Sequence, residues 1–226
     1  MIKSIVLGVA MAAISASAGA ASVSLTKLTG LTGGTLAGTA VYKADLSAVG
    51  LASILSLGIR DNSAGLGGAG GQFSGFDLDG VKLSTTDCAT AACAAGAVGL
   101  SVFNFAAASF LPGAQRAPAD AKLFGTNATG LALDDAVARL SLFDGENTTV
   151  TPDGFLSLGD NGSIDFNLSA ALSTLGLFLY IGEVGDNGEV AASDITVRDT
   201  NRVPEPGAAG LVLLALAAAG LARRRR

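Results

Sequence analysis

The chain has 226 residues, 50% of them hydrophobic and 15% charged, with no histidine and no tryptophan. The lack of histidine removes the usual general base and the commonest metal ligand, so Ser-His-Asp, Cys-His and zinc-hydrolase chemistry are excluded. The formal net charge is −5, and residues 21–202 hold 9 basic against 18 acidic side chains; this net −9 opposes nucleic acid and anionic lipid headgroups as partners and permits hard cations and neutral polymers.

From the amino end, Met1-Ile2-Lys3-Ser4 is a short basic start, residues 5–14 are an apolar run, and Ala16-Ser17-Ala18 or Ala18-Gly19-Ala20 is a small-residue cleavage site. That order predicts a secretory signal peptide over residues 1–20, too short to cross a membrane in its own right. Residues 21–202 are enough for one domain with a substantial core. Thr26, Thr29, Thr32 and Thr35 recur every third residue. A period of three alternates faces on a strand, so the run predicts a low-complexity lead-in rather than an ordered threonine surface for ice.

Frequent glycines and Asn-Gly or Asp-Gly pairs then divide the chain into short pieces rich in Val, Ile, Leu and Phe, which is strand punctuation. Strands are predicted over residues 23–28, 39–46, 54–60, 72–76, 81–84, 98–105, 136–143, 154–158, 163–168, 175–183 and 193–198. Ile164, Phe166 and Leu168 alternate with Ser163, Asp165 and Asn167, which points one face of that strand to a core and the other to water. Leu177, Leu179 and Ile181 alternate with Phe178 and Tyr180. Both faces are bulky there, which predicts a central strand. No long helical period occurs, and residues 134–139 offer a single helical turn. The expected fold is all-β, a jelly-roll-like β-sandwich over residues 21–202.

Cys88 and Cys93 are the only cysteines, with four residues between them. In an oxidising compartment they predict a small-loop disulfide that fixes a loop tip more than it holds the domain. No nucleophile elbow, P-loop or dinucleotide fingerprint occurs. A two-carboxylate glycosidase needs no histidine, and Glu183, Glu189, Asp77 and Asp79 are available for one. Aromatic platforms for a sugar are scarce, with Tyr42 and Tyr180 the only tyrosines, so no enzyme is expected. Asp160-Asn161-Gly162 and Asp186-Asn187-Gly188-Glu189 set carboxylate and amide oxygens on tight loops, the ligands a hard cation takes, with Asp77-Leu78-Asp79-Gly80 and Asp61-Asn62 as additions. The same pairs are hairpin signals and nothing fits an EF-hand loop. No cofactor is therefore expected, with calcium at Asp160, Asp186 and Glu189 as the alternative.

At the carboxyl end, Val203-Pro204-Glu205-Pro206 precedes an uncharged apolar run over residues 207–222 and the block Arg223-Arg224-Arg225-Arg226. The prolines prevent a helix from continuing across the motif, so the helix starts after Pro206. Sixteen residues make roughly 24 Å of helix, a little short of a hydrocarbon core, and snorkelling arginine stems make up the difference. The arginines hold that flank on the cytoplasmic side and leave the rest of the chain outside. This ordered combination resembles the PEP-CTERM sorting signal of exported bacterial proteins. The resemblance implies processing near the motif by an exosortase, a membrane cysteine transpeptidase, in bacteria that make extracellular polysaccharide.

Two further stretches carry weaker resemblances. Residues 155–166 and 177–191 resemble the strand-turn-strand core of galactose-binding-like jelly-roll domains, and Gly70-Gly71-Gln72-Phe73-Ser74-Gly75-Phe76-Asp77-Leu78-Asp79 is similar to a stretch found in PEP-CTERM proteins. Together these readings predict an exported surface or matrix protein, anchored by its terminal helix before processing, with a structural or adhesive role in a polysaccharide or biofilm matrix. A carbohydrate-binding module for exopolysaccharide is the alternative, and a glycosidase the third.

Overall fold

The computed structural model describes residues 19–63, 69–146, 154–189 and 193–201. Residues 1–18 of the expected signal peptide, the expected helix 207–222, and the sorting residues from Val203 to Arg226 lie outside the described residues. In chain order the elements are β1 (Ala20–Ser22), β2 (Thr26–Thr32), β3 (Thr39–Asp45), β4 (Ser53–Arg60), β5 (Asp77–Ser84), α1 (Ala91–Gly96), β6 (Ser109–Leu111), β7 (Leu156–Ser157), β8 (Ser163–Ser173), β9 (Phe178–Val184) and β10 (Asp194–Arg198).

The strands form two five-stranded sheets, ordered β1-β10-β4-β8-β6 and β2-β3-β9-β5-β7, with antiparallel pairing throughout. Four pairs are nested: β1 with β10, β3 with β9, β4 with β8, and β5 with β7. Nested pairs that fold over into alternate sheets are the wiring of a jelly roll, so the expected all-β sandwich is what the chain forms. Strands β2 and β6 extend it as additional edges.

Alternation explains the core. Ile164, Phe166 and Leu168 of β8 pack inward with Leu57 and Ile59 of β4, Ile195 and Val197 of β10, and Leu179 and Ile181 of β9. Between them Asn167 is exposed, and Asp165 is buried beside Arg198. Strand β9 is central, as its bulk on both faces predicts. Its outward Tyr180 belongs to a second apolar layer with Leu28, Val41, Cys88, Ala91, Ala94 and Phe143. That layer is the loop closed by the Cys88–Cys93 disulfide, whose Cα atoms lie 5.5 Å apart, together with α1. Thr90 caps α1 by accepting from the Cys93 amide at 3.1 Å, and Lys82 of β5 donates to the carbonyls of Ala94, Ala95 and Ala97 at its other end.

Several expected strands differ from those observed. Residues 26–32 are an edge strand, not a lead-in; Lys27 and Leu31 pair with Tyr42 and Ala40 of β3, and the ladder holds the threonine run in place. Residues 98–105 run from the Leu83 carbonyl in one sheet to a single bridge with Leu168 in the other, so they cross between ladders instead of joining one. Residues 136–143 follow a helical turn closed onto the Asp134 carbonyl, the turn expected at 134–139, and end with Phe143 lying on the Gly80–Gly182 cross-strand pair. A Cβ on either glycine would come within 2.7 Å of the Phe143 ring or closer, so the two bare positions make the seat for it. Residues 71–73 of the expected strand 72–76 form a 3-10 turn. The short strands β1 and β6, and the six-residue helix α1, have too few residues to show a period.

The Tyr180 hydroxyl donates to the Thr86 carbonyl at 2.6 Å and accepts from the Cys88 amide at 2.9 Å. Replacing Tyr180 by Phe strands both backbone groups beneath α1. The expected loss is about 1–3 kcal/mol, read as a lower urea midpoint with an unchanged slope.

Candidate functional site

Asp77, Glu183 and Glu189 come together where β5 begins and β9 ends, while Asp79 stands apart, accepting from Thr39 Oγ1 at 2.5 Å and the Gly145 amide at 3.3 Å. Asp77 opens β5 opposite Ser157 of β7, whose hydroxyl donates to it. Glu183 stands on β9 between Ala40 of β3 and Leu78 of β5. Its Oε1 accepts the amides of Asn187 at 3.2 Å and Glu189 at 2.9 Å, so the carboxylate pins the turn that follows β9. That turn needs left-handed backbone at Gly185, Asp186 and Gly188 (φ 89°, 52° and 89°), which is why Asp, Asn and Gly fill it. Lys27 on the edge strand β2 forms an ion pair with Asp186 and ties the turn down from outside.

Arg116 is the residue that sequence reasoning missed. Its Nη2 lies 3.6 Å from Glu189 Oε1 and its Nε 3.4 Å from Asp160 Oδ1, so one guanidinium bridges two of the three calcium candidates. The third, Asp186, is held away by Lys27. Among the described residues no group of three or more Asp, Glu, His or Cys side chains is arranged to hold a metal ion. The Asp160-Asn161-Gly162 loop is the turn between β7 and β8, with Asn161 left-handed at φ 65° and its amide bonded to Asp61 at 2.9 Å. No spacing in the sequence linked Arg116 to these acids, because its partners lie more than forty positions downstream.

Burial sets the chemistry of the cluster. Glu183, Glu189 and Asp79 are fully buried and Asp77 nearly so. Burial pushes Glu189 up to about 7, with the Glu183 charge adding to the rise and the Asn187 bond and Arg116 opposing it. Asp79 is raised to about 7 by burial, against the bonds from Thr39 and the Gly145 amide. Asp77 stands well above, and Glu183 above, the usual carboxylate range, each chiefly through burial. Glu183 Oε2 and Asp79 Oδ1 have no hydrogen-bond partner, and Glu189 is met by the Arg116 guanidinium. Burial thus disfavours the charged form of each of these acids.

The fold and these contacts define the class: a disulfide-bearing jelly roll whose buried acids organise turns. Beyond it, residues 202–226 match the PEP-CTERM protein-sorting motif. The chain is thus an exported protein bearing the sorting signal of an exosortase substrate, with a β-sandwich ahead of the signal. No curated protein and no solved structure gives a significant match to the chain.

The raised acids make stability depend on pH with a definite sign. Their folded values lie above their unfolded ones, so the stability they contribute is whole below about pH 4 and lost as pH rises through about 7. The melting temperature is expected to fall between pH 5 and 8, and Glu189→Gln or Asp79→Asn to flatten that fall. Loss of stability toward acid instead of alkali would contradict the burial argument.

Proposed function

We propose that the chain is a non-catalytic component of the extracellular polysaccharide layer. It is exported through the amino-terminal signal peptide, held in the membrane by the helix over residues 207–222, and processed at Val203-Pro204-Glu205-Pro206 by the exosortase. The jelly roll is then left at the cell surface or in the matrix in a structural or adhesive role. The observation that carries this reading is the match of residues 202–226 to the sorting motif. The lack of histidine and the sealing of the acids inside the sandwich support a domain without catalysis.

The domain itself favours one of the two signal-peptide cuts. The Gly19 amide donates to Asp199 Oδ1 at 2.8 Å, the Asp199 amide donates back to the Gly19 carbonyl at 3.2 Å, and Ala20 pairs with Arg198. Cutting after Ala18 keeps all of β1 and turns the Gly19 amide into an ammonium beside the Asp199 carboxylate, a stronger charge-assisted bond. Cutting after Ala20 removes half of that pairing.

Two measurements check the reading. In cells with the exosortase the chain is expected to shorten, and in cells lacking it, or with Pro204-Glu205-Pro206 replaced by alanines, to stay full length in the membrane fraction; shortening that ignores both changes sinks the processing step. Amino-terminal sequencing of the exported protein is expected to begin at Gly19. A start at Ala21 would refute the Gly19–Asp199 argument.

A further inference from the structure

We infer that the outer face of the first sheet is a binding groove for a neutral, hydroxyl-rich polysaccharide, which names the partner of the surface domain proposed above and rests on that reading. Because alternate residues of β10, β4 and β8 fill the core, their neighbours form rows across the open face. Asp194, Arg60 and Ser163 stand side by side in one row, and Thr196, Gly58 and Asp165 in the next. A groove of about 480 Å³ runs over these rows to Leu111 of β6.

Gly58 is its floor. A Cβ there would lie 2.6 Å from Asp165 Oδ1 and 2.9 Å from Arg198 Nη1, so the missing side chain is what lets this pair lie flat on the strand. The two groups are 3.4 Å apart, with Asp165 only 7% exposed and Arg198 25% exposed. Asp165 is thereby fixed, while Arg198 keeps one side toward solvent. Arg60 and Asp194, directly opposite each other and both exposed, repeat the same combination at the mouth.

Guanidinium groups only donate and carboxylates only accept, whereas a sugar hydroxyl does both. Alternating arginine and aspartate therefore fits neighbouring hydroxyls on one ring, one bonded to each. Two arginines and two aspartates cancel, and the domain around them carries the excess of acids, so a polyuronate is repelled and an uncharged polymer is not. The lining offers no aromatic ring for stacking. Affinity for one sugar is accordingly low, and it accumulates along a chain laid across four strands, about 14 Å at the usual strand spacing.

The test is affinity gel electrophoresis of the purified full-length chain in detergent. The gels contain neutral polysaccharides of gluco, galacto and manno configuration or, separately, polygalacturonate. At least one neutral polymer is expected to retard the protein, and retardation should persist at about 0.5 M salt, where surface charge is screened. The Arg60→Ala/Asp194→Ala double variant, altered only at exposed side chains, should keep its melting temperature and bind about tenfold or more weakly. If it fails to fold, Arg60→Lys, which keeps the charge and loses the planar fork, takes its place with the same expectation. Gly58→Val should abolish binding by displacing the Asp165–Arg198 pair. Three results would overturn the groove: no retardation by any neutral polymer, retardation that the exposed variants leave unchanged, or retardation by polygalacturonate alone that salt releases. None of them touches export or exosortase processing, which are read out in cells.

Discussion

Burial of β9 on both faces is the constraint from which the rest of the sandwich follows. A strand with Leu179 and Ile181 on one side and Phe178 and Tyr180 on the other cannot leave either side in water, so the second sheet needs an outer layer as well as a core. The disulfide loop and α1 supply it, with Tyr180 bonded into the loop backbone and Lys82 bonded to the end of the helix. A six-residue helix has no stability of its own. It persists because Thr90 caps it, the disulfide closes it, and the apolar face of Leu28, Val41 and Tyr180 lies under it. The first sheet has no such bulk outward: Ser56, Gly58 and Arg60 of β4 face away from the core beside Thr196 and Asp165. One sheet is thus covered and the other presents polar groups to its surroundings, and this asymmetry separates the part that holds the fold from the part open to a partner.

Carboxylates are used in two opposite ways. Asp165 keeps a guanidinium beside it at the floor of an open face, whereas Glu183 and Glu189 are buried under a turn, Glu183 holding two of its amides and Glu189 facing Arg116. Burial disfavours the ionised form of both, raising Glu183 above its ordinary value and Glu189 to about 7. Their work is geometric. Glu183 gathers two amides of the turn after β9, and Arg116 joins that turn to the one before β8 through Glu189 and Asp160. The two Asp-Asn-Gly loops that suggest a hard cation in the sequence both carry left-handed backbone, at Asp186 and Asn161.

The sandwich was legible where a strand has a ladder on each side and a core face to fill. Residues 39–46, 54–60, 163–168, 175–183 and 193–198 all read correctly to within a few residues of their ends, because alternation is enforced there by neighbours. Residues 98–105 and 136–143 have the same apolar content and are not strands. Phe103 and Phe105 are half-buried, edge-on to Phe166, and Phe143 is buried on its two glycines, but the backbone of both stretches meets no continuous partner. Apolar content leaves hydrogen-bond partners unspecified, and Val98 and Leu142 within these stretches are exposed. The acids were legible as a set and their environment was not, since Arg116 reaches them only through the folded chain. Gly58 looked like any strand glycine until the register placed Asp165 and Arg198 over it.

The ends of the domain meet at one corner. Gly19 and Asp199 exchange hydrogen bonds, and the Thr200 carbonyl accepts from Ser56 of β4, so the last described residues run along the edge of the polar face of the first sheet. Pro204 is six positions after Arg198, and an extended chain covers at most about 3.5 Å per residue, so the chain can carry it no more than ~21 Å from Arg198. On the proposed reading, a domain held by residues 202–226 would keep its polar face close to its own tether. Processing at the motif would free that face from the constraint. On the proposed reading, release would change which surface can reach a polymer without any change in the fold.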